Sequence, residues 1–197
     1  MSNLKVKTEI RQRQIREAAM EIIADKSLNS LTVAGIAEKV GITKSNIYRH
    51  YSSKNAIVED IVKMIDTNLQ KIVSNSKVID SPAERLKQIF INHIALLEKT
   101  KGTPLIIFTS KSYGDNSSVK IMMKVVIKKY TESIRLILCQ GVGDKTFNTD
   151  LDIKTTLMVY LGLIQSIILQ CITSGGAFLP TSKAEGFWAI FIKGISK

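Results

Sequence analysis

The segment LTVAGIAEKVGITKSNIYRHYSSK, residues 31–54, contains a helical pattern that is interrupted at one point. Apolar residues recur at helical spacing as far as Gly41, and the same pattern begins again within two residues. A chain that only had to bury a core would gain more from one long helix. Because glycine adopts the left-handed backbone conformation that other residues avoid, the sequence predicts two short helices joined at a sharp corner.

The residues around this corner suit a close, nearly perpendicular pair of helices. Thr32 and Thr43 each precede a helix and are placed to cap it, and Ala37 is small enough for the two helices to approach closely. This is the arrangement of a helix-turn-helix, whose second helix lies in a DNA groove. An ordinary helical hairpin also turns at a glycine, so the corner alone leaves both interpretations open.

The outer face of the second short helix favours DNA binding. At about 100° per residue, Ile47 and Tyr51 share one face, whereas Ser45 and Arg49 point the opposite way. Neutral polar and basic side chains of this kind hydrogen-bond base edges and phosphates. The alternative is a short solvated surface helix, which would more often carry pairs of Glu and Lys.

The charge of the chain predicts an anionic partner, either nucleic acid or a membrane surface. Lys and Arg number 28 against 17 Asp and Glu, which gives a formal net charge of +11. Ten of the basic and five of the acidic residues lie within residues 1–54, so the excess is densest there. The basic residues at the start fit either an arm that enters a DNA groove or a solvated tail; they are Lys5, Lys7, Arg11 and Arg13.

Beyond the corner, the chain shows helical spacing throughout and no period-two alternation of the kind that strands require. The first helix is predicted over residues 8–26, and the Ser-Pro-Ala-Glu pattern at 81–84 opens a strongly amphipathic fifth helix. The predicted fold is all-α with about nine helices. It comprises a three-helix DNA-binding domain over residues 1–53 and a larger helical domain over residues 54–197.

Residues 157–172 are almost continuously apolar and raise the question of a membrane. The segment is shorter than the about 20 residues that a spanning helix needs, and Gln165 and Gln170 interrupt it. We therefore interpret it as a helix buried in a core or a subunit interface, and we expect no membrane partner.

No enzymatic motif is present in the sequence. Walker, His-Glu-x-x-His and Gly-x-Ser-x-Gly patterns are missing, and two histidines are too few for an acid–base constellation. Cys139 and Cys171 lie in apolar contexts without metal-ligand spacing and fit buried reduced thiols. We therefore expect a protein that is not an enzyme and uses no metal or cofactor. We also expect it to be cytoplasmic, since the first residues lack the apolar core of a signal peptide.

Residues 32–57, TVAGIAEKVGITKSNIYRHYSSKNAI, resemble the DNA-binding segment of the TetR (tetracycline repressor) family of bacterial regulators. The departures from that family's pattern are Gly35, Val40, Tyr51 and Ile57. The matching positions are Thr32, Val33, Ile36, Ala37, Gly41, Ile42, Thr43, Ile47, Tyr48, His50, Ser53 and Lys54.

The resemblance implies a transcriptional regulator that contacts phosphates through Thr32, Tyr48, His50 and Lys54. Base edges would be read by the outer side chains of the second short helix, and Arg49 is the best candidate for guanine because its forked donors match O6 and N7. His50 fits a packing role equally well. The predicted DNA-contacting set is Thr32, Thr43, Lys44, Ser45, Asn46, Tyr48, Arg49, His50 and Lys54.

The resemblance also implies that the larger domain forms a homodimer and binds a small, largely apolar effector that releases a palindromic DNA operator. The predicted dimer residues are Leu157, Leu161, Ile164, Ile168, Phe187, Trp188 and Phe191. The predicted effector residues are Phe90, His93, Leu97, Phe108, Tyr113, Met122, Met123, Val126, Tyr130, Tyr160 and Gln165.

Methionines and aromatic residues at these positions could equally form plain core, and His93 could be a core histidine with a satisfied hydrogen bond. Two alternatives remain at this stage. One is a DNA-binding protein without an effector, and the other is a helical protein that binds lipid or a membrane surface.

Overall fold

The computed structural model describes residues 2–110 and 117–197, with side chains from residue 7 onward. Within these ranges the chain forms helices and a single isolated bridge between Phe147 and Ser196, so the predicted all-α fold is confirmed. The helices are α1 (Ser2–Asp25), α2 (Val33–Val40), α3 (Lys44–Tyr48), α4 (Lys54–Ser76), α5 (Pro82–Lys99), α6 (Thr103–Thr109), α7 (Ser118–Gly143), α8 (Ile153–Thr173) and α9 (Thr181–Ile195).

The chain divides into two compact units. Unit 1 comprises Met1–Ile65 and Thr103–Lys124, and unit 2 comprises Asp66–Gly102 and Val125–Lys197. The division that the sequence predicts between residues 53 and 54, where α4 begins, stays a prediction.

Unit 1 is built around the contact of α1 with α2. Ile15, Ala19, Ile23, Ile36 and Ile47 supply fully buried apolar side chains from α1, α2 and α3. Their helical spacing on α1 and α2 is what the sequence pattern predicted. These three helices therefore share one small core, and that core holds the short α3 in place.

The helix α1 begins earlier than the predicted residue 8, because its first residue is Ser2. Lys7, Arg11 and Arg13 therefore project from a helix, and the expectation of a basic arm or tail is corrected for these residues. Helical spacing places Lys7 and Arg11 on the same side of α1, since residues four apart are neighbours on a helix.

Unit 2 has an aromatic core between α5, α8 and α9. The Phe90 ring centroid lies 5.4 Å from that of Tyr160 and 5.9 Å from that of Trp188. The Phe191 centroid lies 5.5 Å from that of Tyr160. Tilted and edge-on ring pairs at these separations add to the free energy gained by burying the rings.

The helix α8 is 21 residues long and begins before the apolar segment of residues 157–172. By length and composition alone α8 could cross a membrane, although a core helix of a soluble protein satisfies the same criterion. Its apolar face, which includes Tyr160, Ile164, Ile167 and Ile168, is buried in the core of unit 2.

Gly141 on α7 occupies a position where a side chain has no space. A Cβ atom at Gly141 would lie 2.2 Å from Cε2 and 2.3 Å from Cδ2 of Phe147, whose ring is fully buried. The Gly141 carbonyl also accepts a hydrogen bond of 2.9 Å from the Phe147 amide. The glycine therefore lets the chain after α7 fold back closely onto the helix.

We expect Gly141→Ala to lower the free energy of unfolding by about 1–3 kcal/mol, because the Phe147 ring or the backbone must move. Urea denaturation measures the change. Gly143→Ala is the matched control, since a Cβ atom at Gly143 meets nothing within 4 Å. Equal stability of the two variants would contradict the expectation.

Candidate nucleic-acid interface

The corner between α2 and α3 has the predicted geometry. Gly41 has φ 73° and ψ 37°, in the left-handed region. Its amide donates to the Glu38 carbonyl at 3.1 Å, and the Ile42 amide donates to the Ala37 carbonyl at 2.9 Å. These two bonds satisfy carbonyls at the end of α2 while the chain changes direction.

Both short helices are capped as the sequence predicts. Thr32 Oγ1 accepts a hydrogen bond of 3.0 Å from the Gly35 amide, and Thr43 Oγ1 accepts one of 3.2 Å from the Asn46 amide. A Cβ atom at Gly35 would lie 3.3 Å from Thr32 Oγ1. A larger residue at position 35 would therefore require a small shift of the Thr32 side chain.

The helix α3 presents its polar side chains to solvent. Ile47 is fully buried, whereas Tyr48 is 55% exposed and Lys44, Ser45 and Arg49 are also exposed. The helical pattern predicts α3 to about residue 51, but the helix ends at Tyr48, so that Arg49 is its C-cap. The inward and outward faces nevertheless fall on the predicted residues.

An open groove separates α3 and its C-terminal turn from the N-terminal part of α1. It has a volume of about 590 Å³, and its lining residues include three cations, Lys7, Arg11 and Arg49, with no carboxylate. The remaining lining residues are Thr8, Ile10, Gln14, Asn46 and His50. A groove of this charge attracts phosphates, because its cations are not neutralised by acidic neighbours within the lining.

Sequence reasoning missed the part that α1 takes in this groove. The four-residue spacing of Lys7 and Arg11 is the sequence signal that places both residues on one helical face. His50, which is half-buried at the edge of the groove, has a buried Nδ1 atom without a hydrogen-bond partner. An incoming phosphate could supply a partner for that nitrogen.

Lys54 and Thr32 occupy positions that fit phosphate contacts. Lys54 is the first residue of α4, where Ser53 Oγ accepts a hydrogen bond of 3.1 Å from the Ala56 amide. The N-terminus of a helix favours an anion because its amides point outward and its dipole is positive there. Thr32 is likewise exposed at the N-terminus of α2. That these residues and the α3 residues contact DNA stays a prediction.

A buried polar cluster fixes the chain that follows α3. Arg16 Nη1 donates to Asp60 Oδ2 at 2.7 Å, and the Tyr51 hydroxyl donates to the same carboxylate oxygen. Burial raises the pKa of Tyr51 well above its ordinary value, and the neighbouring Asp60 adds to the increase. The hydroxyl of Tyr51, where the family pattern has Phe, therefore links the chain that follows α3 to α1 and α4.

We expect Asp60→Ala to lower the free energy of unfolding by about 2–3 kcal/mol, because Arg16 and Tyr51 would both lose a charged acceptor. Tyr51→Phe removes one donor and should cost about 1 kcal/mol. Urea denaturation measures both values. Asn55→Ala, at an exposed position on α4, is the control. An Asp60→Ala protein as stable as this control would contradict the interpretation.

The fold and the surface of unit 1 define a helix-turn-helix protein that presents a polar, basic face suited to DNA. Residues 15–61 match the family model described as bacterial regulatory proteins, tetR family. The match covers the segment on which the predicted resemblance to the TetR family rests.

Three known proteins show how far this similarity extends. The nucleoid occlusion factor SlmA of Vibrio cholerae is 22% identical over 186 residues, which is 91% of this chain and 93% of SlmA. The structure of the ketosteroid transcriptional regulator KstR2 of Mycobacterium tuberculosis superimposes with a TM-score of 0.79 at 22% identity, covering 95% of each chain. The structure of AibR in complex with isovaleryl coenzyme A and operator DNA superimposes with a TM-score of 0.74 at 20% identity. The superposition covers 91% of this chain and 97% of AibR.

The residues predicted to bind an effector fall in both units. In unit 2, Phe90, Leu97, Val126, Tyr130 and Tyr160 are buried, His93 is half-buried and Gln165 is exposed on α8. In unit 1, Met123 is buried, Met122 is half-buried and Phe108 is 38% exposed. Tyr113 lies outside the described residues.

Three of these residues form hydrogen bonds within the core of unit 2. His93 Nδ1 lies 2.9 Å from the Tyr130 hydroxyl, and the Tyr160 hydroxyl donates to the Leu86 carbonyl at 3.0 Å. Burial raises the pKa of both tyrosines. Three hydrogen-bonding side chains among apolar rings are the kind of anchors that an apolar ligand site uses.

Burial lowers the pKa of His93 to about 4, so the imidazole is neutral at neutral pH. In the unfolded chain the pKa is about 6.5. Between these two values the unfolded chain binds a proton that the folded chain does not, and the free energy of unfolding therefore falls as the pH falls from 6.5 to 4. We expect His93→Gln to give a shallower slope over this range in urea denaturation, and an unchanged slope would contradict the expectation.

The predicted dimer residues divide into two sets. Leu157, Leu161 and Phe187 are half-buried and remain available. The other four are inside the protomer, where a partner subunit cannot reach them, and the expectation is corrected for them; they are Ile164, Ile168, Trp188 and Phe191. Their side chains fill the core of unit 2 instead.

The apolar surface of α8 and α9 consists of other residues. Met158 is 66% exposed, Val159 48%, Leu169 55% and Ile190 73%. Exposed apolar side chains clustered on two neighbouring helices are typical of an interface with another protein.

A metal site does not emerge from the described side chains. No group of three His, Cys, Asp or Glu side chains comes together within the ranges that the structure describes.

Proposed function

We propose that this protein is a cytoplasmic, ligand-responsive repressor that binds a near-palindromic operator as a homodimer. The observation that carries the proposal is the surface of unit 1. The polar face of α3 lies beside the groove formed with α1, and Lys7, Arg11 and Arg49 line that groove without an acidic neighbour. Base-reading groups flanked by cations suit the edge and the phosphates of a major groove.

The exposed apolar face of unit 2 supports a homodimer. Met158 and Leu169 on α8, together with Ile190 on α9, would be covered when the two helices pack against their symmetry mates in a four-helix arrangement. A two-fold dimer places its two reading helices about 34–36 Å apart, one turn of DNA. The operator half-sites would then be inverted repeats.

The effector is proposed to be a small molecule with a substantial apolar part. The hydrogen-bonded pair of His93 and Tyr130, which lies in the core of unit 2, supports this class of ligand. AibR, which shares the fold, is described in complex with isovaleryl coenzyme A and operator DNA, so an acyl thioester is the first candidate to test.

Release of DNA would require that the effector bind more tightly to a form with a different spacing of the reading helices. The helix α4 is continuous from Lys54 to Ser76, and its residues belong to both units. A shift of α4 would therefore reach Lys54 and Ser53 at the DNA-facing end. Couplings between two ligands of this kind are typically about 1–3 kcal/mol.

The experiment is a DNA-binding titration with the purified protein and duplex fragments from the neighbourhood of its own gene. We expect one fragment to bind with steep salt dependence and to be released by an acyl-coenzyme A of suitable chain length, with free coenzyme A as the control. No binding to any fragment at low salt would contradict the DNA-binding part. Binding that no thioester of the series weakens would contradict the proposed effector class.

A second candidate is a DNA-binding protein that does not respond to a small molecule. The observation that favours it is the similarity to SlmA, described as a nucleoid occlusion factor, over 91% of this chain. Mapping the bound sites along the chromosome separates the two candidates. A repressor should occupy one or a few promoters, whereas a chromosome-associated factor should occupy many dispersed sites.

A further inference from the structure

A second cavity lies within unit 2, between the last turns of α4, the start of α5 and the middle of α7. Its volume is about 250 Å³, below the about 300–1,000 Å³ typical of drug-sized ligand sites. It is lined by Gln70, Val73, Ser74, Lys77, Arg85, Ser133, Leu136, Ile137 and Gln140.

The lining of this cavity combines two cations with apolar side chains. Lys77 and Arg85 are its charged residues, and no carboxylate lines the cavity. Val73 and Ile137 are buried and form the apolar part. The carboxylate one turn earlier on α4, Asp66, is engaged by Lys129 Nζ at 3.0 Å.

Two buried donors at this cavity have no acceptor. Arg85 Nη1 donates to Gln140 Oε1 at 3.0 Å, but Arg85 Nε and Gln70 Nε2 are buried without a hydrogen-bond partner. Leaving a buried donor unpaired is unfavourable, and it is most unfavourable for a charged group. An anionic oxygen in the cavity would accept from both donors and from Lys77.

We propose that this cavity binds a small soluble amphipathic anion, a phosphate monoester or a carboxylate with a short apolar chain. Arg85, Gln70 and Lys77 hold the anionic head, and Val73 and Ile137 contact the chain. The cavity is too small for a whole nucleotide thioester, so this site is distinct from the effector site considered above. The inference does not rest on DNA binding.

Isothermal titration calorimetry of the full chain with hexyl phosphate tests the proposal. We expect a Kd of about 1 mM or below, weaker binding of inorganic phosphate, and no binding of hexanol. Hexanoate, with the same chain and a different anionic head, should bind as well. Equal affinities for hexyl phosphate and inorganic phosphate would overturn the assignment of Val73 and Ile137.

Two variants locate the site. Lys77→Gln and Arg85→Gln should each weaken hexyl phosphate binding by about tenfold. Lys71→Gln is the matched control, because Lys71 is an exposed lysine near the end of α4 that does not line the cavity. Thermal denaturation checks the fold, and Lys77→Gln decides the question if Arg85→Gln is unstable, since Lys77 is exposed.

Absence of hexyl phosphate binding, or equal binding by Lys77→Gln and Lys71→Gln, would overturn the proposal. Sedimentation with anionic phospholipid vesicles, without binding of soluble hexyl phosphate, would also overturn it, because the anion would then be a lipid surface.

Discussion

Arg49→Ala is expected to weaken binding of the operator by about thirtyfold or more. Arg49 is exposed at the C-terminal end of α3 and lines the basic groove with Lys7 and Arg11. A guanidinium that bonds guanine O6 and N7 contributes about 1–3 kcal/mol, and a dimer would lose two of them. Fluorescence anisotropy with a labelled operator at fixed salt measures the change.

The matched control is Arg13→Ala. Arg13 is an exposed arginine of α1 outside the groove, and its Nε lies 4.0 Å from Glu17 Oε1. Loss of this arginine should change affinity by less than about threefold, because only long-range attraction is reduced. If both variants bind equally well, Arg49 does not contact the DNA.

Ile190→Glu is expected to convert the dimer to a monomer and to lower operator affinity by more than a hundredfold. Ile190 is 73% exposed on α9, a helix that contacts α8. At a two-fold interface the substitution would bury two unpaired carboxylates, which costs several kcal/mol. A monomer would also bind only one half-site, and the gain from linking two half-sites would be lost. Sedimentation equilibrium gives the oligomeric state, and anisotropy gives the affinity.

Val78→Glu is the control for this second prediction. Val78 is 87% exposed in the turn after α4, so it is an equally accessible apolar residue outside α8 and α9. We expect this variant to remain dimeric and to bind the operator normally. Ile190→Glu protein that stays dimeric would mean that another surface joins the protomers.

The features that could be predicted from the sequence are those set by neighbouring residues. The left-handed Gly41 and the caps at Thr32 and Thr43 each depend on contacts within about four residues. The inward face of α3, marked by Ile47, follows from helical periodicity alone. For this reason the helix-turn-helix and its outward residues were predicted correctly.

The features that could not be predicted depend on contacts between distant segments. Asp60 joins Tyr51 to Arg16, which lies 44 residues away, and no local pattern indicates such a bond. In α8 apolar residues surround most of the helix, so periodicity could not distinguish the core-facing Ile164 and Ile168 from the exposed Met158. The predicted dimer set therefore includes residues whose side chains are buried in the core of unit 2.

The proposed repressor function requires that the exposed face of α3 lie in the major groove of DNA. Disulfide cross-linking to a base that carries a thiol in the major groove tests this claim directly, after Cys139 and Cys171 have been replaced by serine. We predict that Ser45→Cys protein cross-links to a base within the operator and that Val78→Cys protein does not. Cross-linking through position 78 but not through position 45 would contradict the account.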